Sequence, residues 1–134
     1  MTAEPQPAAI QVLLVEDEAA NRGLIRAMVA RVPLPPDRRF ELHEATTIAE
    51  ARAILARITP AIVILDVRLP DGNGLDLATE LCAAGRPARP AVIVASASVL
   101  PAERDAAIER GADAFLGKPF GLGEFSEVVR RFVG

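Results

Sequence analysis

The chain of 134 residues has one cysteine, one histidine, one lysine, and neither tryptophan nor tyrosine. Each scarcity closes a possibility. Cys82 has no second cysteine for an internal disulfide, and His43 has no companion histidine or cysteine with which to make a tetrahedral metal site. No apolar run approaches the ~18 residues of a membrane span. Met1 to Ala9 lacks the basic start and apolar middle of a signal peptide, so the expected compartment is the cytoplasm. A net charge of −3 gives no electrostatic case for binding nucleic acid. The lysine scarcity is of another kind. Lys118 stands alone against fourteen arginines, which implies a position where a compact ammonium is required and a broad guanidinium does not fit.

What is present reads as one globular domain. Hydrophobic residues make up 51% and charged ones 25%, close to the globular average, and the length suits a single core. Met1 to Ala9, rich in Pro, Ala and Gln, is expected to be a disordered tail, with the domain over residues 10–134. Five short apolar runs predict strands over Ile10–Val15, Phe40–Ala45, Ala61–Leu65, Ala91–Ala95 and Ala114–Leu116. The second alternates apolar and polar residues as an edge strand does, with His43 an ordinary member of it.

Between the strands, helical spacing predicts five helices. The first, about Ala20 to Val32, sets Leu24, Ile25, Met28, Val29 and Val32 on one face, and the preceding Glu18 suits the positive end of its dipole. Thr47 and Glu50 form a capping box for the second, about Ile48 to Arg57. The third starts near Leu75 and closes near Gly85, with Cys82 a core or boundary residue. The fourth runs from Pro101 to its stop at Gly111 with Ala107 and Ile108 inward. The fifth covers Leu122 to Phe132. Pro33 to Arg39 is expected to be a proline-stiffened loop. Strands alternating with helices give an α/β fold, a doubly wound and mostly parallel sheet.

In such a sheet the carboxyl ends of the strands share one edge, where ligands bind. Glu16 and Asp17, Asp66, Ser96 and Lys118 each fall at or just after the end of the first, third, fourth and fifth strands. Three converging carboxylates repel unless a cation or proton relieves them. A hard divalent ion bound through oxygen answers this, Mg²⁺ being usual where phosphate is involved. Lys118 and Ser96 would then add a point charge and a donor for an anion, so the site suits a phosphoryl group carried by an aspartate. Asp71 and Asp76, close by, read as a turn former and a helix-start charge.

These marks together resemble the receiver domains of two-component response regulators: the pair Glu16-Asp17, Asp66 with its LPDGNG loop, Ser96-Ala97, and Phe115-x-x-Lys118-Pro119-Phe120. Thirty positions separate Asp66 from Ser96 and twenty-two separate Ser96 from Lys118, as in that family. The resemblance covers Ile10 to Phe132 and implies a flavodoxin-like, five-stranded sheet in the order 2-1-3-4-5 with five helices. It implies Asp66 as phosphoacceptor; Asp17, Asp66, the backbone carbonyl of Arg68 and, through water, Glu16 as holders of Mg²⁺; and Lys118, followed by a cis Pro119, as the neutralising cation. It further implies Ser96 and Phe115 as the switch pair, with the face of the fourth helix, fifth strand and fifth helix reporting the change.

A partner histidine kinase or histidine phosphotransfer protein is the implied donor, since His43 is the only histidine and lies in a strand. With Gly134 just after the fifth helix, the expected output is a contact with a downstream protein, made by a monomer or a weak phosphorylation-dependent dimer. The charges of the reporting face, Glu103, Arg104, Asp113, Glu127 and Arg130 among them, do not choose between these. Arg68 stands where an aspartate-nucleophile phosphatase needs its second acid. Glu16, Asp17 and Glu18 occupy the first turn where a nucleotide or flavin phosphate would need bare amides. The expectation is therefore not an enzyme beyond its own phosphorylation and dephosphorylation. The alternative is a receiver fold used as an unphosphorylated interaction module.

Overall fold

The computed structural model describes residues 8–83, 89–98 and 100–133. Its elements in chain order are β1 (Ala8–Val15), α1 (Ala19–Arg31), β2 (Arg38–Ala45), α2 (Ile48–Leu55), β3 (Ile62–Asp66), β4 (Arg68–Leu69), β5 (Gly72–Asn73), α3 (Gly74–Ala83), β6 (Ala91–Ser96), α4 (Pro101–Glu109), β7 (Ala114–Gly117) and α5 (Leu122–Arg130). Five strands form one parallel sheet in the order β2-β1-β3-β6-β7. That is the order 2-1-3-4-5 once the two-residue strands β4 and β5, a small antiparallel pair of their own, are set aside.

Strand alternation builds two cores. Ile10, Val12, Leu14, Ile62, Ile64 and Ile93 face α1 and α5, while Leu13, Val15, Val63, Leu65, Val92 and Val94 face α2, α3 and α4. β3 lies mid-sheet and its residues 62–65 are buried, which is why that stretch is continuously apolar. β2 lies at an edge, and the His43 Nε2 pairs with Gln11 Oε1 at 2.6 Å on the neighbouring strand.

The structure moves several boundaries and two faces. β1 begins at Ala8, inside the stretch expected as tail; the rest of that stretch, residues 1–7, and the expected helix end at Gly85 lie outside the described residues. β2 begins at Arg38 because two further residues pair with Ala8 and Ala9. Leu24 is exposed, since Ile25, Met28, Val29 and Val32 at i, i+3, i+4 and i+7 already fill the core stripe. Ile108 is exposed as well, because α4 is shallowly seated and Ala107 is its one buried residue. Cys82 is an exposed free thiol. Asp113 directly precedes β7, at the sheet edge opposite the site, accepting from the Val92 amide at 2.8 Å and from Arg89 at 3.0 Å.

Candidate functional site

The parallel register brings the ends of β1, β3, β6 and β7 to one edge, and the side chains there meet. Carboxylate oxygens of Glu16, Asp17 and Asp66 lie within 4.8 Å of one another. The Lys118 Nζ donates to Glu16 Oε1 at 2.6 Å and to Asp66 Oδ2 at 3.3 Å. Glu16 is buried, Asp66 half-buried and Asp17 exposed, so the cluster opens from the interior to solvent. Burial alone would lower the Lys118 pKa. The hydrogen bond to Glu16 and the charges of Asp66 and Glu16 outweigh it, and the ammonium is held above the usual lysine range.

A cleft of about 830 Å³ lies over these groups, lined also by Asn21, Arg68, Ser98, Glu103 and Phe115. Ser96 is buried at the end of β6; its carbonyl accepts from the Lys118 amide at 2.8 Å and its Oγ from the Ser98 amide at 3.2 Å. The Arg68 amide donates to Asp66 Oδ1 at 3.4 Å. The Lys118–Pro119 peptide is cis. Gly74 closes the loop behind Asp66 by donating from its amide to the Val67 carbonyl at 2.7 Å. A Cβ on Gly74 would lie 2.0 Å from the Asp66 carbonyl oxygen, so the close backbone approach excludes every other residue.

The structure thus gathers Glu16, Asp17, Asp66, Ser96 and Lys118, with Arg68 and Phe115 on the cleft wall. Three supporting residues carry no local signal of such a role. Asp71 reaches across from the loop to cap α2, accepting from the Ile48 amide at 2.8 Å and the Ala49 amide at 2.9 Å; those bonds hold its carboxyl below the usual range. Asn73 accepts from the Leu75 amide at 2.8 Å and starts α3. Arg22, one turn into α1, donates to the carbonyls of Glu16 and Asp17. Glu18, by contrast, makes no side-chain cap for α1; its amide donates to Glu16 Oε2 at 3.1 Å.

The donor set fits a hard cation: three carboxylates presenting oxygen only, at one mouth, beside a single ammonium. Comparison with known proteins agrees with that geometry. The profile of the response regulator receiver domain matches residues 12–130.

The chain belongs to the response regulator receiver domain family.

Among relatives, this receiver is 34% identical over 119 residues to the KDP operon transcriptional regulatory protein KdpE of Escherichia coli (strain K12), covering 89% of this chain and 49% of that protein. It is also 34% identical over 119 residues to the response regulator protein PilR of Pseudomonas aeruginosa, covering 89% of this chain and 25% of that protein. The receiver therefore spans about half or less of the length of these curated relatives. Among solved structures, the receiver domain of sensor histidine kinase PA1611 from Pseudomonas aeruginosa PAO1 superposes with a TM-score of 0.79 at 25% identity, covering 95% of this chain and 99% of that one. That structure has a magnesium ion coordinated in its active site cleft. A CheY-like receiver from Methanospirillum hungatei JF-1, at 20% identity, shares the fold with a TM-score of 0.78 over 92% of this chain and 93% of that one.

Proposed function

We propose that Asp66 is the phosphoacceptor of this receiver. The observation that carries the reading is the Lys118 ammonium, the chain's sole lysine, seated between Glu16 and Asp66 with Asp17 at the same mouth. A carboxylate oxygen of Asp66 attacks the phosphorus of a phosphohistidine on a histidine kinase or phosphotransfer protein. The new P–O bond forms as the P–N bond breaks, and the imidazole leaves with the electron pair and takes up a proton. Asp17, Asp66, the Arg68 carbonyl and, through water, Glu16 would hold Mg²⁺. When bound, that ion neutralises charge on the phosphoryl oxygens. Lys118 does the same from the protein side.

A phosphoryl group on Asp66 adds about two negative charges. Ser96, which now accepts from the Ser98 amide, then turns its hydroxyl to a phosphoryl oxygen, and Phe115 follows it inward from the cleft wall. The readout surface is α4, β7 and α5, where Leu100 and Ile108 are exposed. There a downstream protein binds, or a second receiver in a weak phosphorylation-dependent dimer. Among the described residues no helix is long and apolar enough to cross a membrane, and we place the protein in the cytoplasm.

Intact-mass spectrometry after incubation with acetyl phosphate tests this. The wild type gains one phosphoryl group with Mg²⁺ and none with the metal chelated, and Asp66→Asn gains none. A gain that survives in Asp66→Asn overturns the assignment. No gain under any condition returns the chain to the unphosphorylated interaction module.

A further inference from the structure

Three carboxylates can serve a cation only if something other than the cation keeps them aimed at one point. Glu16 is held by Lys118 and by the Glu18 amide. Asp66 is held by Lys118 and by the Arg68 amide. The Asp17 carboxylate has neither kind of support: among the described residues no hydrogen bond or ion pair reaches its side chain, and it is exposed. Its direction is set by the backbone that carries it.

That backbone is fastened from behind. The Glu16 amide donates to the Ala45 carbonyl at 3.0 Å, tying the loop to β2. The Arg22 Nη1 donates to the Glu16 carbonyl at 3.1 Å and to the Asp17 carbonyl at 2.9 Å. Arg22 is itself steadied from β2, with Nε 3.8 Å from Glu44 Oε1; Glu44 in turn takes both a 2.8 Å and a 2.7 Å bond from Arg26. The guanidinium therefore engages the carbonyls of the two acids and touches neither carboxylate. A cation placed on the carboxylates would compete with the metal. One placed on the carbonyls fixes the peptide planes and does not.

We propose that Arg22 is a positioning residue for the metal site, a clamp that sets the direction of Asp17 by holding the carbonyls of residues 16 and 17. The inference rests on the phosphoacceptor reading of the same site. It also has a sign that separates it from plain electrostatics. Removing a positive charge beside three carboxylates should, by Coulomb's law alone, tighten the binding of Mg²⁺. Loss of a clamp should weaken it, and loss of outer support around a metal site costs roughly tenfold or more in affinity.

The measurement is a titration with Mg²⁺ alone, followed through the amide signals of Asp17 and Glu18 by ¹H–¹⁵N NMR, since the chain has no tryptophan or tyrosine to report by fluorescence. Wild type, Arg22→Met, Arg22→Lys and Arg26→Ala are compared. Arg22→Met is expected to bind Mg²⁺ about tenfold more weakly. Arg22→Lys, whose ammonium lies one bond short of the Nη1 that makes both carbonyl contacts, is expected to fall between it and the wild type. Arg26→Ala, which removes only the neighbour on Glu44, is expected to match the wild type.

Unchanged or tighter binding in folded Arg22→Met overturns the clamp. If that variant does not fold, Arg22→Lys decides, and wild-type affinity there overturns the clamp equally. An equal loss in Arg26→Ala also overturns it, because general surface charge would then be the cause. Failure of the wild type to take Mg²⁺ at millimolar concentration instead overturns the reading of the site itself.

Discussion

Lys118 shows how much a single side chain can carry. Its ammonium is the counterion of Glu16, whose side chain is 2% exposed, and removing it leaves a buried carboxylate unpaired. Such a loss costs about 3 kcal/mol. Lys118→Met is therefore expected to unfold at lower urea concentration than the wild type without metal, to recover part of the difference when Mg²⁺ is added, and to phosphorylate on the order of a hundredfold more slowly from acetyl phosphate. The lysine also fixes an alkaline limit. Because its folded-state pKa is raised, its contribution is complete below the unfolded value of about 10.4 and is lost as pH rises through the folded one. Urea titrations between about pH 9 and 12 should show that loss in the wild type and a smaller one in Lys118→Met.

Among the elements, α2 depends on a residue outside its own segment. Thr47 Oγ1 accepts from the Glu50 amide at 3.0 Å, one half of the capping box written in the sequence; the Glu50 carboxylate takes the Thr46 amide at 2.7 Å in place of the Thr47 amide, and the Ile48 and Ala49 amides are taken by Asp71 from the β4–β5 turn. Asp71→Ala should lower the melting temperature at neutral pH. The lowered pKa means that the Asp71 contribution is complete above the unfolded value of about 3.9 and is lost as pH falls through the folded one, so the gap between the two proteins should close only below that pH. Helices α1 and α5 test the core assignment by chemical denaturation. Phe125 is fully buried and its ring stacks on Phe120 at 5.8 Å; Phe125→Ala should cost about 3–5 kcal/mol. Leu24→Gln, at a residue 52% exposed, should stay within about 0.5 kcal/mol of the wild type.

For the molecule as a whole, the cation and the fold are linked. On the proposed reading Mg²⁺ would bind residues that follow β1 and β3 and meet only when those strands are paired, so it would stabilise the native state, by about 1.4 kcal/mol at ten times its dissociation constant. Calorimetry should show the melting temperature of the wild type rising with Mg²⁺ and that of Asp17→Asn rising much less. Equal rises in both would remove Asp17 from the site. Leu100, directly before α4, and Ile108 on it are exposed apolar side chains of the proposed readout surface.

The five strands, the five helices and the meeting of Glu16, Asp17, Asp66, Ser96 and Lys118 at one sheet edge were legible because each rests on local chemistry: apolar runs of strand length, breakers at their ends, and polar groups placed just beyond them. Tertiary structure decided what depends on residues distant in sequence. The burial of Ile25 and not Leu24 depends on how α1 seats on the sheet, and the place of Asp113 on where β7 enters it. Asp71 as the cap of α2 is a contact across 23 positions, and Arg22 as the clamp of the acid loop depends on how the turn before α1 is folded. Periodicity records which residues leave water, since that is a property of one element. Which partner each meets is set by the packing of elements against one another, and a single segment carries no trace of it.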